Sequence, residues 1–376
     1  MITLSQYLSL FYYPSKDSNT FRDFLNTAKV KINNNMEPFK EYIKRKSIDL
    51  EDVKLLFENI QIRTTYLMNF YNTSLRVPET GFSITDAPMR TRELSNNQLV
   101  NYKNVIRNMF YKEILKNTKS GIDNVPTYWD VLEDLYKNYI IDYKILTPSS
   151  IHYMREGRIG SVFSSLYFRA SIMNPYLVYS INKSIFNARR VFTPTLGWCS
   201  YFYGFAESGI THYVGIDIIP SVCKKTQAFA KKYPNIQTEI ICSPSEKVAE
   251  NNDLIRQYKG KFDLVFFSPP YFKLELYEGR LQSTTQYPDY QVWLQEYWEK
   301  TIELCHKVLE KGGHMCYILS GYGSQNINEQ YDLIGDMNAI SKKYFKYKRT
   351  LPLLNKNVHV TEHRDTAEKI IIFVKE

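Results

Sequence analysis

The sequence has no run of 18 apolar residues, so nothing in it reads as a membrane span. It also has few cysteines. The five, Cys199, Cys223, Cys242, Cys305 and Cys316, are odd in number, confined to the second half and without metal-ligand spacing. That excludes a disulfide framework and a zinc module and fits a reducing compartment. The opening stretch MITLSQYLSLFYYPSK has neither the basic start nor the apolar core of a secretory signal, so a soluble, cytoplasmic protein is expected. Six histidines form no triad or metal pattern; His359 and His363, four apart, read as loop or surface residues. No internal repeat and no low-complexity segment is present.

What is present is length, charge and aromatic content. At 376 residues, 44% hydrophobic and 23% charged, the chain holds two or three globular domains. A net charge of +9 and a pI near 9.0 favour a polyanionic partner such as nucleic acid, although the excess is spread along the chain with no basic tail. The 31 tyrosines and 21 phenylalanines suit base stacking, or reflect codon bias in an AT-rich genome.

Periodicity divides the chain near residue 150. Residues 1–150 read as a mainly helical domain, with periodic apolar positions over Phe21 to Phe39, Leu50 to Tyr71 and Leu99 to Leu115. Breaks fall at Val77 to Gly81 and Lys119 to Pro126. The Lys44-Arg45-Lys46 cluster and the Arg90, Arg92 pair read as solvated helix faces, with phosphate contact as the alternative. Thr147 to Ile181 mixes aromatics and arginines, including Tyr153, Arg155, Arg158, Phe163, Tyr167, Phe168 and Arg169. That mixture fits a nucleic-acid or cofactor groove as well as it fits a helix packed on a sheet.

Residues 151–376 form the second domain. After Arg189-Arg190, strands are expected at Val191 to Thr193, Tyr213 to Asp217, Ile236 to Ile241, Phe262 to Phe267 and His314 to Ser320. Helices are expected at Ser221 to Tyr233 and at Tyr290 to Leu309, the latter ending at Gly312-Gly313. This alternation predicts an α/β, Rossmann-like sheet, mostly parallel. A terminal antiparallel strand, KIIIFVK at Lys369 to Lys375, is expected to pair near Tyr347 to Leu351.

The chemistry concentrates where strands stop. The apolar run Leu264 to Phe267 ends in Ser268-Pro269-Pro270-Tyr271, a rigid turn that cannot continue a ladder and offers a hydroxyl and free carbonyls beside an aromatic face. In an open α/β sheet ligands bind at that end of the strands. Acceptors next to a stacking ring suit a planar base with an exocyclic amine. The first strand leads into Thr193 to Gly204 through the turn glycine Gly197, and the second ends in Asp217, placed to accept both hydroxyls of a ribose. The third ends at Ser243-Pro244-Ser245-Glu246, whose side chains suit an adenine edge or a helix cap.

In this order and spacing the chain resembles the S-adenosylmethionine-dependent amino-methyltransferases, which methylate adenine N6 or cytosine N4 and carry a (D/N/S)PP(Y/F) motif after the fourth strand. Ser268-Pro269-Pro270-Tyr271 matches that motif fully, and Asp263 matches the acid of the strand before it. Glu275, Tyr277, Gln282-Ser283, Tyr287 and Trp293 look like the downstream segment of a phage- and virus-associated DNA methylase group. The resemblance covers about residues 185–376. It implies S-adenosylmethionine as cofactor, held by Thr193, Gly197, Asp217, Ser245 and Glu246, and catalysis by Ser268, Pro269, Pro270 and Tyr271. DNA is the implied substrate, with RNA as an alternative; the Gln282-Ser283 and Trp293 match sets aside the related glutamine methylation of protein. The first motif departs from the family's D-P-x-x-G-W-G-G-R. Thr193 stands at the acid position, Cys199 and Ser200 at two glycines, Tyr201 at the arginine, while Gly197, Trp198 and Gly204 match. Those side chains are expected to narrow the cofactor turn, and the rival reading is a non-catalytic nucleic-acid-binding or partner subunit on the same fold.

Overall fold

The structure is a computed structural model that describes residues 1–12, 20–320, 331–354 and 368–376. His359 and His363 lie outside the described residues. The chain divides into two compact units, one of Met1–Arg76 with Tyr111–Ala170, the other of Val77–Phe110 with Ser171–Glu376. A single cut at residue 150 does not follow that division. Helices Pro148–Arg155 and Ile159–Leu166 stay with the first unit because they pack on Leu50–Gln61 and Arg63–Phe70. Helix Asn101–Met109 belongs to the second because it packs on Pro175–Ile181.

The second unit is built on a seven-stranded sheet. Its strands are β1 Arg190–Thr193, β2 His212–Asp217, β3 Gln237–Cys242, β4 Phe262–Phe267, β5 Leu309–Leu319, β6 Lys346–Pro352 and β7 Lys369–Val374. Their spatial order is β3-β2-β1-β4-β5-β7-β6. The first five run parallel, while β7 pairs antiparallel with both β5 and β6. The α/β class, the parallel majority and the antiparallel closing strand are all as the sequence predicts. Central strands such as Phe262–Phe267 and Lys369–Val374 are buried along nearly their whole length, as expected for strands covered on both faces. The edge strand β6 is exposed along most of its length and carries Lys346, Lys348 and Arg349, the charge that keeps an open edge from pairing with another chain.

Two local expectations are corrected. The segment Phe21 to Phe39 is helical only over Phe21–Thr27; Lys29–Ile32 and Asn35–Pro38 then pair as a hairpin, with Asn33 at a φ of 54°. Alternation of Val30 and Ile32 before three asparagines is a strand-and-turn pattern that outweighs the apolar spacing. The helix from Tyr290 ends at Val308, not at the glycine pair, after a π-helical stretch at Leu294–Glu299. Leu309 is already extended and pairs with Phe262, and Gly312, with φ 80°, lies where the β5 register shifts between Leu309 and His314.

The first unit, described by itself, is helical around a small three-stranded sheet in which Lys29–Ile32 lies between Asn35–Pro38 and Ile140–Asp142. The aromatic and basic residues of its last helices are occupied within it. Arg155 makes a bidentate pair with Asp52 at 2.7 and 2.8 Å, Tyr167 donates to Asp142 at 3.1 Å, and Phe163 is fully buried. Packing, not an open groove, therefore explains this part of the Thr147 to Ile181 stretch. Arg45 pairs with Glu37, and Lys44, Arg45 and Lys46 close a helix at its C-terminal turn, where cations are favoured. Among the described residues no helix is long and apolar enough to cross a membrane.

Candidate functional site

The order 3-2-1-4-5 places a switch in crossover direction between β1 and β4, which opens a crevice at the carboxyl ends of those strands. A cavity of about 190 Å³ lies there, wholly within the second unit. It is lined by both turns that carry motifs, by Pro194, Thr195, Gly197, Trp198 and Tyr201 of one and Ser268 to Tyr271 of the other, together with Asp217, Ser245 and Glu246.

On the β1 side the backbone turns through three successive left-handed residues, Gly197 at φ 51°, Trp198 at 58° and Cys199 at 69°. Two of these are not glycine, and each such residue costs about 1–3 kcal/mol unless its surroundings over-determine it. The surroundings do so. The Trp198 indole N–H donates to the Ser171 carbonyl at 3.0 Å, its ring lies 5.8 Å from Tyr277, and Cys199 is fully buried. Gly197 is required for a second reason: a Cβ there would stand 2.2 Å from the Tyr201 ring. Gly204, one turn into the next helix, lets that helix approach Pro175, whose carbonyl would be 2.4 Å from a Cβ.

The sequence places Cys199 and Ser200 where they would narrow this turn, but neither lines the cavity. Both are fully buried, and the Ser200 hydroxyl has no hydrogen-bond partner among the described residues. Of the four departures from the family pattern only Tyr201 faces the cavity. Thr193 does not line it either; its hydroxyl is engaged with the Tyr213 phenol at 2.7 Å, and Pro194 and Thr195 take the lining positions.

Asp217 lines the cavity from the end of β2. One carboxylate oxygen accepts the Ile219 N–H at 3.0 Å and the other the Leu196 N–H at 3.3 Å. These bonds fix the group to the β1 turn and leave lone pairs on both oxygens. Burial nevertheless pushes its pKa up to about 6, outweighing the N–H donors that pull it down. Ser245 shares its hydroxyl with Thr301 at 3.1 Å, and burial raises the pKa of Glu246. Neither Ser243 nor Ser245 caps the helix Ser245–Glu250, whose cap position is Pro244 with no side-chain bond. Both serines line the cavity instead.

The Ser268 turn is held from two sides. Its N–H donates to the Tyr201 phenol at 3.0 Å, and its hydroxyl donates to the Ile318 carbonyl at 3.0 Å. With its proton so placed, the hydroxyl faces any further partner as an acceptor. No described group donates to the Pro269 carbonyl. The Tyr271 phenol accepts the Ser320 N–H at 3.0 Å, which fixes the ring, and burial raises its pKa. Glu275 accepts from the Ser171 N–H at 2.9 Å and the Tyr277 phenol at 2.6 Å. Gln282 and Ser283 line the cavity, and the buried Trp293 donates to the Ser283 hydroxyl at 3.1 Å. Asp263 lies elsewhere: its carboxylate accepts the Arg189 and Arg190 N–H groups at the start of β1.

Among the lining residues that sequence reasoning missed, three are polar and come from distant segments. Tyr297 sits in the π-helical stretch, and its buried hydroxyl has no partner among the described residues. Glu368 enters just before β7, its carboxylate making no hydrogen bond among the described residues, with its pKa raised by burial. Asn96 comes from a loop far upstream and accepts the Asn174 N–H at 2.7 Å. None stands in a motif, so no local signal marks them.

Four carboxylates therefore line the cavity, Asp217, Glu246, Glu275 and Glu368, and no lysine, arginine or histidine does so among the described residues. Such a lining disfavours phosphates and favours a neutral or cationic ligand. No group of three potential metal ligands is found among the described residues.

No family model and no curated protein matches the sequence. Solved structures that resemble it include the N-methyltransferase NodS of Bradyrhizobium japonicum in complex with S-adenosyl-L-homocysteine, at 12% identity over 53% of this chain and 83% of that one, with a TM-score of 0.34. TrmN of Thermus thermophilus is similar at 10% identity over 54% and 49%, TM-score 0.35. Fibrillarin of Aeropyrum pernix, with natively bound S-adenosyl-L-methionine, is similar at 10% identity over 50% and 66%, TM-score 0.32. Each likeness spans about half of this chain.

Proposed function

We propose that the protein transfers a methyl group from S-adenosylmethionine to an exocyclic amine of a nucleic-acid base, adenine N6 or cytosine N4, most readily in DNA. The observation that carries this reading is a cavity with four carboxylates and, among the described residues, no cation in its lining, bounded on one side by the Gly197 turn and on the other by Ser268-Pro269-Pro270-Tyr271. The residues fit the cofactor: an adenosine bearing a sulfonium and an ammonium group is the kind of cation such a lining favours, and the buried Tyr297 hydroxyl supplies an unsatisfied polar group in the wall.

The bound cofactor would supply an electrophilic methyl on a sulfonium sulfur. Asp217, already oriented by two backbone N–H groups, would accept the ribose hydroxyls. Ser245 and Glu246 would meet the adenine edge, and the Gly197 turn would form the wall against which the rest of the cofactor lies. On the substrate side, the Ser268 hydroxyl oxygen and the Pro269 carbonyl would each accept one N–H of the amine. That amine is a poor nucleophile because its lone pair is conjugated with the ring. Two acceptors draw the nitrogen toward tetrahedral geometry and stabilise the positive charge that develops on it. The Tyr271 ring would stack on the base once it leaves the helix. Holding nitrogen and methyl in line supplies much of the rate, and no strong base is needed because the proton becomes acidic only after transfer.

Incubation with methyl-labelled S-adenosylmethionine and unmethylated DNA or RNA, followed by nucleoside chromatography, tests this directly. Label in N6-methyladenine or N4-methylcytosine is expected, and which polymer carries it separates the DNA reading from the RNA one. Cofactor binding without label in either polymer would support the non-catalytic partner reading instead.

A further inference from the structure

Ser268 lies one residue past the end of its ladders. The last β4–β5 pair is Phe267 with Tyr317, and the last β1–β4 pair is Val265 with Phe192. Its N–H has no strand partner and is received by the Tyr201 phenol at 3.0 Å. The next two residues are prolines without N–H groups, so this bond is the last backbone donation before the aromatic ring of Tyr271. The Tyr201 phenol also lies 3.5 Å from the Ser268 carbonyl, which Thr195 approaches at the same distance.

The tyrosine ring is itself fixed. It is 2% exposed, stands edge-on to Phe266 at 5.3 Å and 86°, and lies against Gly197 so closely that a Cβ at that glycine would overlap it. One side chain thus belongs to both turns. Displacing the Gly197 backbone displaces the hydroxyl that holds Ser268. A neutral phenol performs this bridging without adding a cation to the acidic cavity.

We propose that Tyr201 is a positioning residue that sets the Ser268-Pro269-Pro270-Tyr271 turn from the cofactor side, receiving the Ser268 N–H where the sheet no longer does. The inference rests on the methyl-transfer reading for its kinetic consequence but not for its structural one. Tyr201→Phe keeps the ring against Gly197 and removes the acceptor. Hydrogen exchange at the Ser268 amide should accelerate about ten-fold or more, since a half-buried N–H loses its only partner among the described residues. S-adenosylhomocysteine should bind within about two-fold of wild type, while kcat falls about ten-fold with KM for the cofactor unchanged. A purely packing role would leave the amide exchange and the kcat-to-KM split unmoved.

Unchanged exchange at Ser268 would overturn the proposal whatever the activity. So would a fall in cofactor affinity as large as the fall in kcat, which would make Tyr201 part of the cofactor wall alone. Should Tyr201→Phe not fold, 3,5-difluorotyrosine at position 201 keeps the hydroxyl but weakens it as an acceptor; a smaller acceleration in the same direction is expected, and none would overturn the proposal. Absence of methyl transfer by the wild type would count against the proposed function, not against this contact, which the exchange rate reads by itself.

Discussion

Two turns meet in one cavity, and they are built differently. The Ser268 turn takes its local shape from residue type, two prolines fixing φ, and only its placement from neighbours, Tyr201 and Ile318 receiving the Ser268 N–H and hydroxyl. The Gly197 turn takes its shape from its surroundings. Trp198 and Cys199 sit in left-handed conformations that the Ser171 carbonyl, the Phe110 and Tyr277 rings and the buried core around Cys199 hold in place. A turn specified by its own residues is legible as a motif. One specified by its neighbours looks degenerate in sequence while its backbone is complete.

If the two turns serve base and cofactor separately, their variants must separate too. Ser268→Ala should lower methyl transfer by about 10²–10³, the usual cost of removing one pre-oriented transition-state partner, with S-adenosylhomocysteine affinity retained. Steady-state kinetics alongside titration calorimetry checks this. Asp217→Ala should do the opposite, weakening cofactor binding by about a hundred-fold, since bonds to an ionised group contribute about 1.5–3 kcal/mol each.

The pKa of Asp217 sharpens the contrast. Because it is raised to about 6, the carboxylate that would accept ribose hydroxyls is lost as pH falls through that value, and cofactor affinity should drop about ten-fold between pH 7 and pH 5. The stability of the ligand-free protein should move the other way. The folded state binds the proton below about 6, the unfolded chain only near 3.8, so Asp217 costs stability as pH rises through that window and the cost is relieved as pH falls. Asp217→Asn should flatten both trends in calorimetry across pH.

The smallest effect concerns the residues that most depart from the family pattern. Cys199→Gly and Ser200→Gly restore glycines, yet neither side chain lines the cavity. Cofactor affinity should change by less than about two-fold, while Ser200→Gly lowers stability by about 0.5–1 kcal/mol through helix entropy. A ten-fold gain in affinity from either would mean that these side chains do constrict the site.

Much of this was legible beforehand. Apolar runs such as Phe262–Phe267 and Lys369–Val374 mark strands buried on both faces, and an acid ending one strand and a proline turn ending another mark the site. The hairpin after Thr27 also carries a helical signal, because Phe21, Leu25, Ala28, Ile32 and Phe39 recur at helical spacing. The glycine pair at 312 resembles a helix stop in sequence because a glycine with positive φ serves a helix end and a strand bulge alike. Tyr297, Glu368 and Asn96 were invisible because the fold, not the local sequence, brings them to the cavity. The inward direction of Cys199 and Ser200 depends on backbone angles that sequence spacing does not encode.

Titration calorimetry with S-adenosylmethionine, with ATP as the control, tests the central claim most directly. The acidic cavity, with no lysine, arginine or histidine among its described lining residues, and the proposed cofactor turn beside it predict saturable one-site binding of S-adenosylmethionine and none of ATP. No heat at millimolar S-adenosylmethionine, or binding of ATP in its place, would contradict it.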